Sequence, residues 1–199
     1  MSSQVYEQAP RQGLNLRQAE TVDKLLAAGL EELREVGHEA LTIRSVAQRA
    51  NVSPATAYTY LASKNHLFAE LFWRHLASDE SVVVSDDRAP VVRVQGAVRQ
   101  LTSRIVEEPE LAAAVTPALL GSSPDVERLR LRIGGEFLSR FETALSDPKR
   151  PDDPADAGVL DVLMLAFQGG LLQAGMGLMT YEQLTERLEA AVDVIMRGN

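Results

Sequence analysis

The chain has 199 residues, enough for a small domain and a larger one. It contains no cysteine, which excludes disulfides, thiolate metal sites and cysteine nucleophiles and is typical of a reducing cytoplasm. Its formal net charge of −8 argues against a protein that coats nucleic acid non-specifically. The first residues lack the apolar run of a signal peptide, and strand patterns are scarce, so we expect an all-α cytoplasmic protein.

The N-terminal part predicts an arm followed by one amphipathic helix. Residues 1–17 are polar and are expected to form a flexible arm. Apolar side chains then recur at helical spacing from Val22 to Val36. Gly37 is typical of the residue that ends a helix. We expect this helix to brace the two helices that follow it.

The next segment is unusual in its charge. Residues 40–69 contain no Asp or Glu, although the chain has 28 acidic residues and about four would be expected there by proportion. The only charged side chains left are Arg44, Arg49 and Lys64. A positive segment in an acidic chain is what contact with phosphate groups requires. We interpret Arg49 as a solvated charge.

The same segment carries the signals of three short helices. Residues that can cap a helix N-terminus are Thr42, Ser53 and Ser63. Asn51 tolerates the left-handed conformation that ends a helix, and Pro54 suits a first helical position. The pattern predicts two helices joined by a turn of three to four residues, the geometry that seats a second helix in a DNA major groove.

These residues resemble the DNA-binding domain of the TetR family of transcriptional regulators. The matching positions are Thr42, Val46-Ala47, Ala50 to Ser53, Tyr58 to Leu61, Ser63-Lys64 and Leu67. Two positions depart mildly, because Asn51 replaces the usual Gly and Leu61 the usual Phe. The match spans about residues 18–78. It implies a three-helix head at residues 18–78 and a larger helical domain at residues 79–199.

The resemblance and the residue chemistry together predict a DNA-contacting surface. Expected phosphate contacts, at the family's usual positions, are Thr42, Ser53, Tyr60 and Lys64. Expected contacts to base edges or to the groove are Arg44, Ala55, Thr56 and Thr59, on the helices begun by Ile43 and Pro54. Arg44 is best suited to guanine. Pro54 is assigned to the same surface. Tyr58 either contacts DNA or lies in the core with its hydroxyl outward. Arg11 and Arg17 either reach a minor groove or stay solvated.

The larger domain is expected to bind an effector. Helices are predicted to open at Pro90, Pro109 and Ser123-Pro124, with the second broken by Pro117 and Gly121. Short, proline-interrupted helices make suitable pocket walls. The predicted apolar lining is Trp73, Leu76, Phe137, Phe141, Met164, Phe167, Gln168 and Met176. Since Met and Phe at helical spacing are core more often than binding surface, a packed core is the alternative.

The chain end predicts a dimer interface. Residues 162–181 carry no charge over twenty residues, the length of a membrane span. Two glutamines and four glycines make that segment too polar for a membrane, so we reject a membrane partner. Ala166, Gly170 and Ala174 form a small-residue stripe that allows close helix packing. The predicted interface adds Leu184, Leu188 and Ile195, and resembles the family's pairing of its last two helices in a four-helix bundle.

The sequence therefore predicts a ligand-responsive repressor. Its expected partners are a double-stranded DNA operator, a small apolar effector and a second copy of the chain. No catalytic constellation, metal-ligand spacing or cofactor motif is present, so we expect neither an enzyme nor a cofactor. The alternative is a helical protein or enzyme that binds an apolar ligand and keeps a vestigial DNA-binding head.

Overall fold

A computed structural model describes residues 16–78, 89–147, 149 and 155–197, and all regular structure among them is helical. In chain order the helices are α1 (Leu16–Ala40), α2 (Ile43–Arg49), α3 (Pro54–Tyr60), α4 (Lys64–Ala77), α5 (Pro90–Val106), α6 (Pro109–Leu119), α7 (Pro124–Leu145), α8 (Ala157–Gly175) and α9 (Tyr181–Met196). The all-α prediction is confirmed. Arg11 lies outside the described residues, and Arg17 lies in the first turn of α1.

The head is formed by α1, α2, α3 and the first half of α4. Its core contains Leu25, Leu33, Ile43, Val46, Ala47, Ala57, Leu61, Leu67 and Phe68. Two backbone positions shape it. Gly37 has a φ of 74° and kinks α1 before its last residues, and Asn51 has a φ of 54° in the turn between α2 and α3. Asn is one of the few residues that adopts this conformation at small cost, as the sequence predicts.

Arg49 is exposed, as interpreted from the sequence, but its guanidinium is also paired with two carboxylates. Its Nε donates to Glu32 Oε2 at 2.6 Å, and its Nη2 pairs with Glu35. Both carboxylates belong to α1, so Arg49 attaches the end of α2 to α1. Glu32 is buried, and the hydrogen bond from Arg49 lowers the pKa of its carboxyl although burial alone would raise it. A buried charge of this kind is retained because it is paired.

The helix α4 joins the head to the larger domain, which we call the body (α5 to α9). Leu67 and Phe68 near its start pack in the head, while Leu76 near its end packs against the body. The end of α4 is also held by arginines from two body helices. Arg104 Nη2 of α5 donates to the His75 carbonyl at 2.7 Å, and Arg140 Nη2 of α7 donates to the Leu76 carbonyl at 3.1 Å.

Within the body, α6 lies between the head and the remaining helices. It packs against α1 and α4 on one side and against α5, α7 and α8 on the other. The prediction that Pro117 breaks this helix is wrong, because α6 continues through it to Leu119. Pro117 cannot donate a hydrogen bond to the carbonyl four residues earlier, but the loss of this one bond does not end the helix, which stops two residues later. Tyr181 Oη adds a hydrogen bond from α9 to the Ala112 carbonyl at 3.1 Å.

The small-residue stripe of α8 faces its own chain. A Cβ at Gly170 would overlap Leu184 of α9, and Ala174 is buried in the same seam. Leu184 and Leu188, also assigned to the dimer interface, are buried between α8 and α9. Gly170, Leu184 and Leu188 therefore pack within the chain, whereas the dimer contact of the half-buried Ala166 and Ile195 stays a prediction. A stripe of small residues identifies close helix packing, but here the close neighbour is the next helix of the chain.

Candidate nucleic-acid interface

The helix-turn-helix unit forms because each helix end has a local partner. Ser45 N donates to Thr42 Oγ1 at 3.0 Å, and Thr42 N donates to Ser45 Oγ at 3.2 Å, which closes a capping box at the start of α2. Ser53 Oγ accepts from Thr56 N at 3.1 Å at the start of α3. These caps confirm the predicted starts of α2 and α3.

The two helices bury one face and expose the other. Ile43, Val46 and Ala47 of α2 and Ala57 of α3 are buried. The exposed residues of the unit that were predicted to contact DNA are Thr42, Arg44, Ser53, Pro54, Ala55, Tyr58 and Thr59. Thr56, Tyr60 and Lys64 are half-buried. The structure thus brings the ten predicted residues together on and around one surface, most of it open to solvent.

Tyr58 is 50% exposed, so the alternative that it lies in the core is wrong. Its neighbour Thr59 bonds back to its own helix, because Oγ1 donates to the Ala55 carbonyl at 3.1 Å. The Ser53 and Thr56 hydroxyls are 2.8 Å apart and share a hydrogen bond. Each hydroxyl keeps further capacity as donor or acceptor, which is what contacts to phosphate and base edges require.

Arg44 and Lys64 are the charged members of this surface, and their surroundings differ. Arg44 is exposed on α2, with no acidic residue on the α2–α3 unit. Lys64 begins α4, and its ammonium donates to two carbonyls at the end of α1, those of His38 at 2.9 Å and Glu39 at 3.1 Å. The predicted phosphate contact of Lys64 therefore concerns a side chain already engaged within the head.

The turn between α3 and α4 is held by two local bonds. Ser63 Oγ accepts from His66 N at 3.1 Å, as predicted for the cap of α4. The His66 ring accepts at Nδ1 from Ala62 N at 3.2 Å. Burial lowers the pKa of the His66 imidazole, which favours the neutral ring that an acceptor role requires.

The phenylalanines predicted to line an effector pocket pack against one another in this structure. Phe137 and Phe141 pack edge-to-face on Phe167, with ring centroids 5.0 and 5.3 Å apart, and Leu76 is buried. Trp73 is half-buried under Arg132, whose Cζ lies 4.3 Å from the ring centroid. Gln168 and Met176 are exposed, and Met164 is half-buried. A ligand that reached the three phenylalanines would have to displace this packing.

Two surface crevices are found elsewhere. One, of about 360 Å³, lies between the head and the body and is lined by Leu26, Leu30, Leu71, His75, Glu108 and Leu111 among others. Arg34 of α1 crosses to Glu108, the residue before α6, with Nε 3.0 Å from Oε2. The other, between α5 and α9, is shallow. Among the described residues no cluster of three His, Asp or Glu could hold a metal ion.

A family model described as "Bacterial regulatory proteins, tetR family" matches residues 25–71, which cover most of α1, all of α2 and α3, and half of α4. An uncharacterized HTH-type transcriptional regulator of Mycobacterium tuberculosis H37Rv is 42% identical over 187 residues, covering 92% of this chain and 84% of that protein. The HTH-type transcriptional repressor KstR of Mycolicibacterium smegmatis is 30% identical over 142 residues, 68% of each chain.

Solved structures share the fold at low sequence identity. A TetR transcriptional regulator from Rhodococcus sp. RHA1 superposes with a TM-score of 0.70 at 18% identity, over 93% of this chain and 99% of that one. FadR of Thermus thermophilus, a TetR-family repressor in complex with lauroyl-CoA, gives a TM-score of 0.67 at 18% identity, over 88% and 93%. The likeness extends through the body helices, beyond the segment that the family model matches.

Proposed function

Because this chain belongs to the TetR family of bacterial regulatory proteins and is a helix-turn-helix transcriptional regulator, we propose that it is a ligand-responsive repressor. Its homodimer binds a near-palindromic operator, and a small apolar effector releases it. The family is not an enzyme class. A regulator that binds bacterial DNA acts where that DNA lies, so we place this protein in the cytoplasm.

The observation that carries this proposal is the exposed surface of α2 and α3. It combines a positive side chain, Arg44, with several hydroxyl groups and an exposed aromatic ring, and it contains no carboxylate. The hydroxyls of Thr42 and Ser53 and the helix N-termini beside them suit contacts to phosphate oxygens. Such contacts fix the position of the protein along the duplex. Small residues such as Ala55 let the α3 backbone approach base edges closely. Arg44 supplies the fork of donors that suits guanine O6 and N7.

The test is selection of operator DNA from random duplexes with the purified protein, followed by one substitution. Arg44→Ala should relax the preference at one position in each half-site and weaken binding to the selected duplex by about 5–150-fold, the range for one bidentate contact of about 1–3 kcal/mol. Arg99→Ala is the matched control, because it removes the same charge from α5 in the body. Unaltered sequence preference in Arg44→Ala would refute the assigned role.

The dimer is proposed to form through the outer face of α8, opposite its seam with α9. Four large apolar side chains on that face remain exposed, by 48% at Val162, 70% at Leu165, 38% at Leu172 and 56% at Met176. Gly169 lies at the middle of this stripe, and a Cβ there would meet nothing within 4 Å. A contiguous apolar patch of this kind marks an interaction surface. By length and composition α8 would also pass as a membrane span, but its inner face packs in the body.

The spacing of the stripe suits a second copy of the same chain. Val162 and Met176 lie seven residues either side of Gly169, and Leu165 and Leu172 lie four before it and three after it. A two-fold axis near Gly169 would cross two α8 helices so that Leu165 of one copy meets Leu172 of the other. Such self-complementarity is the requirement of an isologous contact. The open space at Gly169 lets the two backbones approach.

The effector is proposed to enter the body and to change the spacing of the two heads. Support comes from the apolar interior around Phe137, Phe141 and Phe167, and from the FadR neighbours, whose complexes hold lauroyl-CoA and stearoyl-CoA. Movement of α5 or α7 would reach α4 through Arg104 and Arg140, which hold its end. An effector can shift the equilibrium only by its differential affinity for the two arrangements.

The first probes are therefore lauroyl-CoA and stearoyl-CoA, with free coenzyme A as the control. Each is titrated into the protein bound to its selected duplex. Release by the acyl thioesters, without release by coenzyme A, supports an acyl effector. Tight acyl binding by a protein that prefers no duplex would instead favour the alternative of a ligand carrier with a vestigial head.

A further inference from the structure

The helix α3 lacks the side chains that most often identify bases by hydrogen bonding. Its sequence is PATAYTY, and none of its seven residues is Arg, Lys, Asn, Gln, Asp or Glu. Those six residue types supply the hydrogen bonds that distinguish guanine, adenine and cytosine in the major groove. Any discrimination between bases by α3 therefore depends on other groups of this helix.

Three exposed residues of α3 form one face. Ala55, Tyr58 and Thr59 lie at i, i+3 and i+4, the spacing that places side chains next to one another on a helix. Ala57, on the opposite side, is buried in the head. At about 1.5 Å of rise per residue, the face from Ala55 to Thr59 is about 6 Å long, which corresponds to about two base pairs of a duplex.

The threonine hydroxyls of α3 are already bonded within the unit. Thr59 Oγ1 donates to the Ala55 carbonyl at 3.1 Å, and Thr56 Oγ1 shares a hydrogen bond with Ser53 Oγ at 2.8 Å. A threonine hydroxyl can also serve any base, either as donor or as acceptor, so it discriminates poorly. The groups of this face that can discriminate are therefore apolar, namely the methyl groups of Ala55 and Thr59 and the ring of Tyr58.

Thymine is the base that presents an apolar group in the major groove. Its C5 methyl is contacted by alanine, by the threonine methyl and by aromatic side chains. We propose that α3 reads thymine methyl groups, so that each operator half-site carries about two successive A·T pairs where α3 lies. Arg44 of α2 supplies the contact to guanine. The inference rests on the function proposed above and adds the base chemistry of the operator.

The test removes single methyl groups from the duplex obtained by selection. Each thymine of a half-site, together with its counterpart in the other half-site, is replaced in turn by deoxyuridine, which pairs with adenine in the same way but lacks the C5 methyl. Burial of one methyl changes affinity about fourfold, so replacement in both half-sites should weaken binding about 15-fold at a thymine that α3 contacts. Deoxyuridine placed outside both half-sites is the control and should leave the affinity unchanged.

Two substitutions at Thr59 separate its methyl from its hydroxyl. Thr59→Val keeps a methyl and removes the hydroxyl, whereas Thr59→Ser keeps the hydroxyl and removes the methyl. Thr59 is exposed and the three residue types have similar helix propensities, so both variants should fold. Thr59→Ser should bind thymine and deoxyuridine equally at one position of the half-site, and Thr59→Val should keep the wild-type preference for thymine there.

Equal affinity for thymine and deoxyuridine at every position of the half-site would overturn the inference and leave the proposed function intact. Retention of every deoxyuridine penalty in Thr59→Ser, or loss of the thymine preference in Thr59→Val, would also overturn it, since either result means that the Thr59 methyl does not read a base. If the wild-type protein preferred no duplex, the proposed function would fail and this inference with it.

Discussion

The dimer contact proposed on α8 gives the most quantitative prediction. Leu165 is 70% exposed at the middle of the apolar stripe. Full burial of a leucine side chain is worth about 1.5–3 kcal/mol, so covering the exposed fraction contributes about 1–2 kcal/mol per copy. In a two-fold dimer both copies carry the substitution, so the total loss of dimerisation free energy is about 2–4 kcal/mol. Leu165→Gln should therefore weaken the dimer by about 30–1000-fold.

The matched control is Leu131→Gln, because Leu131 is also 70% exposed but lies on α7, away from the stripe. Both exchanges are at exposed positions and should leave the monomer folded. Sedimentation equilibrium over a range of protein concentrations measures the dimer dissociation constants, and binding to the selected duplex measures the consequence for DNA affinity. Wild-type dimerisation in Leu165→Gln, or equal loss in Leu131→Gln, would refute the assignment of the interface to α8.

Two further predictions concern the packing of the body and the pairing within the head. Gly175→Ala should lower the melting temperature, because a Cβ there would lie 2.5 Å from Thr116 Cβ and 2.6 Å from its Cγ2. Gly134→Ala is the control and should raise the melting temperature slightly. No atom lies within 4 Å of a Cβ at that position, and alanine favours a helix over glycine by about 1 kcal/mol. A rise in both variants would contradict the close α6–α8 packing. Because Arg49 lowers the pKa of Glu32, the stability from this pair is present above pH 4.5 and is lost as pH falls through the lowered pKa. In Arg49→Met, burial becomes the largest remaining influence on Glu32 and raises the pKa of its carboxyl. The free energy of unfolding should therefore decrease less between pH 6 and pH 3 in this variant than in the wild type. An equal decrease in both proteins would contradict the pairing.

Sequence patterns predicted the parts of the molecule that are fixed by local chemistry. Thr42, Ser53 and Ser63 cap helices because a side-chain oxygen reaches an amide only three residues away. Asn51 takes a positive φ because its side chain tolerates that conformation. The buried face of α2 follows from helical periodicity. These signals lie within a few residues of the position that they specify, so one sequence suffices to interpret them.

The contacts that sequence patterns do not reveal depend on partners that are distant in the sequence. Arg49 pairs with carboxylates of α1, 14 and 17 residues earlier. The ammonium of Lys64 binds carbonyls that any residue type would supply, so no side-chain pattern indicates it. Gly170 signals a close neighbour, but its spacing does not say whether that neighbour is α9 or a second copy. To assign each of these contacts one must know how whole helices pack together, and helical periodicity alone does not determine that.

The effector pocket shows the same limit. Phe137, Phe141 and Phe167 were correctly expected to lie near one another, since apolar residues at helical spacing converge on the interior. Whether they enclose a cavity depends on how tightly α7 and α8 pack, which helical periodicity does not determine. The aromatic cluster therefore stays a prediction for effector contact, to be tested with acyl thioesters.

The central claim is that the surface of α2 and α3 distinguishes one DNA sequence from others. The most direct measurement is the ratio of dissociation constants for the selected duplex and a scrambled duplex of equal length, at about 150 mM salt and without effector. Specific regulators prefer their sites by at least about a thousandfold, so we expect a ratio in that range, with two protected half-sites in inverted orientation. Equal affinity for both duplexes would contradict it.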